Sequence, residues 1–76
     1  MEMDADERET VTAMMLSALG NESRLRIYKL LVRAGFDGLN VGDIQERLKI
    51  PASTLSHHIA TLRHAGLVIQ RREGRG

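Results

Sequence analysis

Apolar positions recur along the chain at spacings of three and four. Val11, Met14, Met15, Ala18 and Leu19 fall at i, i+3, i+4, i+7 and i+8, one stripe along a helix predicted over residues 7–19. Gly20 ends that helix, and Asn21 opens the next, because its side-chain oxygen can accept an orphan backbone N–H. The second helix is predicted over 22–34. Ile27, Leu30, Leu31 and Ala34 share one face, and Leu25, Tyr28 and Val32 broaden it, which marks a central element. Gly35 closes it, and Phe36-Asp37-Gly38 make a turn. A short third helix follows over 41–48 with Val41, Ile44 and Leu48 inward. Pro51 marks the start of a fourth over 52–65, where its missing N–H costs little, and Gly66 ends it. The pattern then changes. Leu67-Val68-Ile69-Gln70-Arg71-Arg72 suits a strand, and Glu73-Gly74-Arg75-Gly76 is turn chemistry. A lone strand cannot satisfy its own backbone groups. Partners are therefore expected, a short strand near Leu39-Asn40 and a second hairpin strand beyond Gly76. The expected fold is mainly α with a terminal β-hairpin.

Chemistry concentrates between Val41 and Leu67, where a short helix, a tight turn near Lys49–Pro51 and a second helix form a helix-turn-helix. On the fourth helix Leu55, Ile59 and Leu62 turn to the core. The opposite side carries Ser53, His57, Ala60 and His64, flanked by Ser56 and Thr61. This face is small and polar, and it has no carboxylate. A helix entering a major groove needs those properties, since small residues permit close approach, hydroxyls and imidazoles reach base edges or phosphates, and acids are repelled. An ordinary solvated face would favour Glu, Lys and Arg, as in Glu46-Arg47. The residues expected at DNA are Ala52, Ser53, Thr54, Ser56, His57, His58, Ala60, Thr61 and His64 on the helix, with Arg71, Arg72 and Arg75 on the hairpin. His58 sits at the edge of the buried stripe and also suits a boundary residue bonded to backbone. The arginines also suit a solubilising edge strand.

Charge sharpens this picture. Residues 1–22 hold six acids and one base, whereas residues 23–76 hold ten bases and four acids. A basic body behind an acidic leader suits contact with a polyanion. The leader is expected to be flexible over 1–8, with one domain over 9–76. A 76-residue chain is small enough to be marginally stable alone. The sequence has no cysteine, which removes disulfides and thiolate zinc sites as helpers. Idealised helix packing or oligomerisation remains, and Val11, Met14, Met15 and Ala18 are the expected dimer surface, although plain core packing explains that stripe equally well. No apolar run approaches membrane-spanning length, and MEMDADERET is no secretory signal, so a cytoplasmic location is expected.

Catalytic and metal chemistry find no support. His57 and His58 are adjacent, and His57 and His64 are seven apart, unlike the three- or four-residue spacing of zinc ligands on a helix. Ser53 and Ser56 lie near histidines, but the helix has no acidic orienter and no nucleophile elbow. No cofactor, metal site or enzyme activity is expected.

The residues resemble a known family. Ala18-Leu19-Gly20-Asn21-Glu22-Ser23-Arg24-Leu25-Arg26-Ile27 is similar to its helix-one-to-two signature. Pro51 to Ile59, Leu62 and Ala65-Gly66-Leu67-Val68 are similar to its recognition helix and strand start, and Arg72-Glu73-Gly74-Arg75 resembles its wing. The family is the ArsR (ArsR/SmtB) winged helix-turn-helix transcriptional regulators, matched over about residues 16–76. The resemblance implies a winged helix-turn-helix with a final helix beyond Gly76. It also implies a homodimeric repressor that binds double-stranded operator DNA and leaves it when an inducer binds. Arsenic-sensing members carry a Cys-Val-Cys type motif on the third helix. Asn40-Val41-Gly42 stands here, so a metalloid or other small effector would be sensed outside these residues. The competing reading is a winged-helix protein-interaction module. It is disfavoured because the fourth helix shows no exposed aromatic or aliphatic anchor.

Overall fold

A computed structural model describes residues 4–71. Its elements are helices α1 (Ala5–Leu19), α2 (Glu22–Ala34), α3 (Val41–Leu48) and α4 (Ala52–His64), with one 3-10 turn, Gly35–Asp37, after α2. The first three helices start on side-chain caps. Asp4 accepts from the Glu7 backbone N–H, Asn21 from Arg24 and Asn40 from Asp43, at 2.8, 3.1 and 2.8 Å. Each cap satisfies one N–H that the helix itself cannot. The Asp4 cap, with Asp6 and Glu7 in the first turn, starts α1 at Ala5 rather than at residue 7.

The core consists of Ala18, Ile27, Ile44, Leu55, Ile59, Leu62 and Ala65, and Leu19, Leu30, Leu31, Leu39, Leu48, Ile50, Leu67 and Val68 pack around it. Ile27 is fully buried on α2, which touches α1, α3, α4 and the 3-10 turn. This is the central position its broad apolar face predicts. Leu25 and Val32, the outer edges of that face, remain exposed.

Two features turn and close the helix-turn-helix. Lys49 is left-handed at φ 56° and donates its N–H to the Gln45 carbonyl at 2.8 Å, which ends α3. After α4, Gly66 takes φ 78°. Its N–H reaches the Arg63 carbonyl at 2.9 Å, and the Leu67 N–H reaches the Leu62 carbonyl at 3.0 Å. That pair of bonds is a Schellman motif, with Leu62 and Leu67 both on the core side. It folds the chain after α4 back onto the body.

One expectation is corrected, and the expected strands are not seen among the described residues. Val41 is 39% exposed rather than inward, because it is the first residue of α3, just beyond the Asn40 cap, and Leu39 packs on the core instead. No strand forms among the described residues: Leu39-Asn40 and 67–71 make no ladder. Asn40 is committed to capping α3, while Leu67 and Val68 are drawn onto the core and Ile69 points into solvent. Arg72, Glu73, Gly74, Arg75 and Gly76, which carry most of the expected wing, lie outside the described residues.

Candidate nucleic-acid interface

Helix α4 has two unlike sides. Leu55 and Leu62 are fully buried and Ile59 nearly so, and together they hold the helix against α1 and α2. Each such burial contributes roughly 1.5–3 kcal/mol. The far side brings together the residues the sequence singled out. Ala52, Ser53, Thr54, Ser56, His57 and His64 are exposed, and Ala60 and Thr61 are half-buried between them. The Thr61 hydroxyl donates to the His57 carbonyl at 3.1 Å. The hydroxyls of Ser53, Thr54 and Ser56 have no partner among the described residues and remain available to a ligand.

The start of α4 also differs from those of α1, α2 and α3. Pro51 occupies the cap position and offers no side-chain hydrogen bond, and no acid lies in the first turn. The leading N–H groups of the helix therefore face solvent beside the positive end of the helix dipole. The turn before it, Lys49-Ile50-Pro51, adds an exposed lysine. Serine hydroxyls, uncapped amides and a nearby cation, with no carboxylate on α4 itself, make a surface that accepts phosphate oxygens and base-edge acceptors, while Glu46 of α3 lines the concavity beside Lys49 and Pro51.

His58 is placed differently from its neighbour. His57 is exposed, whereas His58 is half-buried with its Nδ1 3.4 Å from Arg24 Nη1 of α2. The two rings lie 5.9 Å apart and tilted by 52°. Burial, then the Arg24 charge, then His57 hold the His58 pKa below the ordinary histidine value. His58 thus faces α2 rather than the outer face, and its bond goes to a side chain rather than to backbone.

Arg71 lies against the turn after α2, and its Nη2 donates to the Phe36 and Asp37 carbonyls at 3.3 and 3.2 Å. Arg63, on the exposed side of α4, donates to Gln70 Oε1. Both contacts tether the segment after α4, and Arg63 and Gln70 were not singled out by sequence. On α1, Met14 is 49% exposed, Val11 and Met15 are half-buried, and Ala18 at 3% is enclosed in the chain's own core. No described helix is long and apolar enough to cross a membrane.

Comparison with known proteins fits this geometry. A family model described as a helix-turn-helix domain matches residues 19–71, which run from the end of α1 through α4 and the segment behind it. The chain is 39% identical over 72 residues to the transcriptional activator HlyU of Vibrio cholerae, covering 95% of this chain and 62% of that one. It is 40% identical over 68 residues to an HTH-type transcriptional regulator of Methanocaldococcus jannaschii, MJ1325, covering 90% and 74%. A Halobacterium salinarum protein whose name marks it as the ArsR repressor of an arsenical resistance operon is 39% identical over 61 residues, covering 80% and 46%. The chain spans less than two thirds of the Vibrio and Halobacterium proteins. With the matched domain coinciding with the helices that build the polar face, the chain belongs to the ArsR family of helix-turn-helix transcriptional regulators.

Proposed function

We propose that this chain is the DNA-reading part of a cytoplasmic transcriptional repressor, which binds operator DNA as a homodimer and leaves it when a small inducer, sensed outside residues 1–76, is bound. The observation that carries this reading is the outer face of α4, exposed, small, polar and free of carboxylate, beginning at an uncapped helix end. In the major groove, Ser53, Ser56 and His57 reach base edges, Ala60 permits close approach, and the first amides of α4 meet a phosphate. Arg72 and Arg75 supply phosphate contacts beside the groove. Met14 is exposed on α1 with Val11 and Met15 half-buried beside it, apolar surface that supports pairing of two copies there. Pairing would set the two α4 helices about one DNA turn, roughly 34–36 Å, apart.

Selection of duplexes from a random-sequence pool on the full chain tests the reading, followed by affinity measured across salt. Enrichment of a roughly palindromic site is expected, with log affinity falling linearly against log salt as counterions are released. No enrichment, or an affinity flat in salt, contradicts it.

A further inference from the structure

Arg24 sits where three helices meet. Its backbone N–H is held by the Asn21 cap, its Nε donates to the Ala18 carbonyl at the end of α1 at 2.6 Å, and its Nη1 reaches His58 Nδ1 on α4 at 3.4 Å. Among the described residues this is the one side-chain hydrogen bond that joins α4 to another helix. The apolar contacts that hold α4 are strong but non-directional. A hydrogen bond has a direction, so it can fix the helix's rotation about its own axis, and rotation decides which side chains face a groove.

The contact also depends on a proton. Arginine only donates, so His58 Nδ1 must present its lone pair, which requires the neutral ring with its hydrogen on Nε2. A protonated ring would set a second donor and a second positive charge against the guanidinium. We propose that Arg24 is a positioning residue for α4, and that protonation of His58 releases α4 from it, so that the chain's preference for its own DNA site weakens in acid. The charged and titratable groups facing His58 are Arg24 from α2 and His57 from its own helix, while from α1 the uncharged Ala18 carbonyl holds the Arg24 guanidinium. Burial and these two neighbours favour the neutral ring. The DNA half of the proposal rests on the reading of α4 given above, whereas the tether itself does not.

The experiment has two arms, both on the full chain. In the first, NMR of the imidazole nitrogens follows His58 across pH without DNA. The wild type should show a neutral Nε2–H ring with a midpoint below the ordinary histidine value, and Arg24→Gln should raise that midpoint. An Nδ1–H tautomer, or a midpoint indifferent to Arg24→Gln, overturns the tether. In the second arm, the probe is a duplex enriched from the random pool, and the readout is its affinity divided by that for a scrambled duplex. Unfolding lowers both affinities alike, whereas a mispositioned helix lowers the ratio. Arg24→Lys keeps the charge, but its single ammonium cannot hold both Ala18 and His58, so the ratio should fall about five-fold or more. His58→Asn offers an acceptor near the Nδ1 position that does not titrate, so between about pH 7.5 and 5.5 its ratio should fall less than the wild-type ratio, His57 and His64 being common to both proteins. Equal pH profiles for the two proteins, or an unchanged ratio in Arg24→Lys, overturn the positioning role. Failure to enrich any duplex contradicts the DNA reading alone, and the first arm still decides the tether.

Discussion

Truncation of Leu55 distinguishes the two sides of α4 most sharply. Leu55 is 0% exposed and belongs to the cluster that binds α4 to α1 and α2. Leu55→Ala removes three buried carbons, about 2.4 kcal/mol at roughly 0.8 kcal/mol each. A cavity term is added, because neighbours on three helices cannot all collapse inward, so the total should lie at about 3–5 kcal/mol. A domain of this size has on the order of 4–11 kcal/mol of stability in all, so the loss is a large share of it. Urea unfolding followed by far-ultraviolet circular dichroism measures it, with a shifted midpoint and an unchanged slope. A loss under about 1 kcal/mol would mean that Leu55 is not a wedge in the core. If His57→Ala unfolded the protein while Leu55→Ala changed only DNA binding, α4 would be rotated from the placement described.

Three further outcomes are expected. His57→Ala should weaken binding to the selected duplex by about 1–3 kcal/mol and to a scrambled duplex much less, measured by fluorescence anisotropy; equal losses on both would remove its reading role. Gly66→Ala should destabilise the chain by about 1–2 kcal/mol in the same urea assay, because φ 78° is costly for a residue with a Cβ. Stability should be level above the unfolded histidine value of about 6.5 and fall as pH drops through the lower folded value of His58, since the unfolded chain binds that proton more readily. Thermal melts from pH 8 to 5 check the sign, and a rise in stability on acidification over the histidine range would refute it.

The helices were legible in the sequence because their signals are local. Asn21 sits one residue before an apolar repeat of helical period, and Gly66 and Pro51 punctuate α4 at either side, whereas Asn40, which caps α3, sits where the sequence suggests a short strand. The exposed polar face of α4 was legible for the same reason, since a helix's angular positions follow from residue number alone. What escaped depends on partners distant in sequence. A strand over Leu67–Arg71 needs another strand, and among the described residues the chain meets the core and the turn after α2 instead. Arg24 and His58 are 34 residues apart, and no spacing rule joins them, so the sequence could set His58 at the edge of the buried stripe but could not name its partner. Ala18 fitted a dimer stripe by periodicity, yet α2 and α4 close over it. Phe36, 98% exposed on the 3-10 turn, is an apolar residue that periodicity cannot place.

The claim that the outer face of α4 reads duplex DNA is tested most directly by NMR. The isotope-labelled full chain would be titrated with a duplex enriched from the random pool and with its scrambled counterpart. The account predicts that the largest shifts on the selected duplex fall on Ser53, Ser56, His57, Ala60 and His64 and on the first amides of α4, with smaller changes there on the scrambled one. Shifts centred on Leu25, Val32 and Phe36, with α4 unmoved, would contradict it.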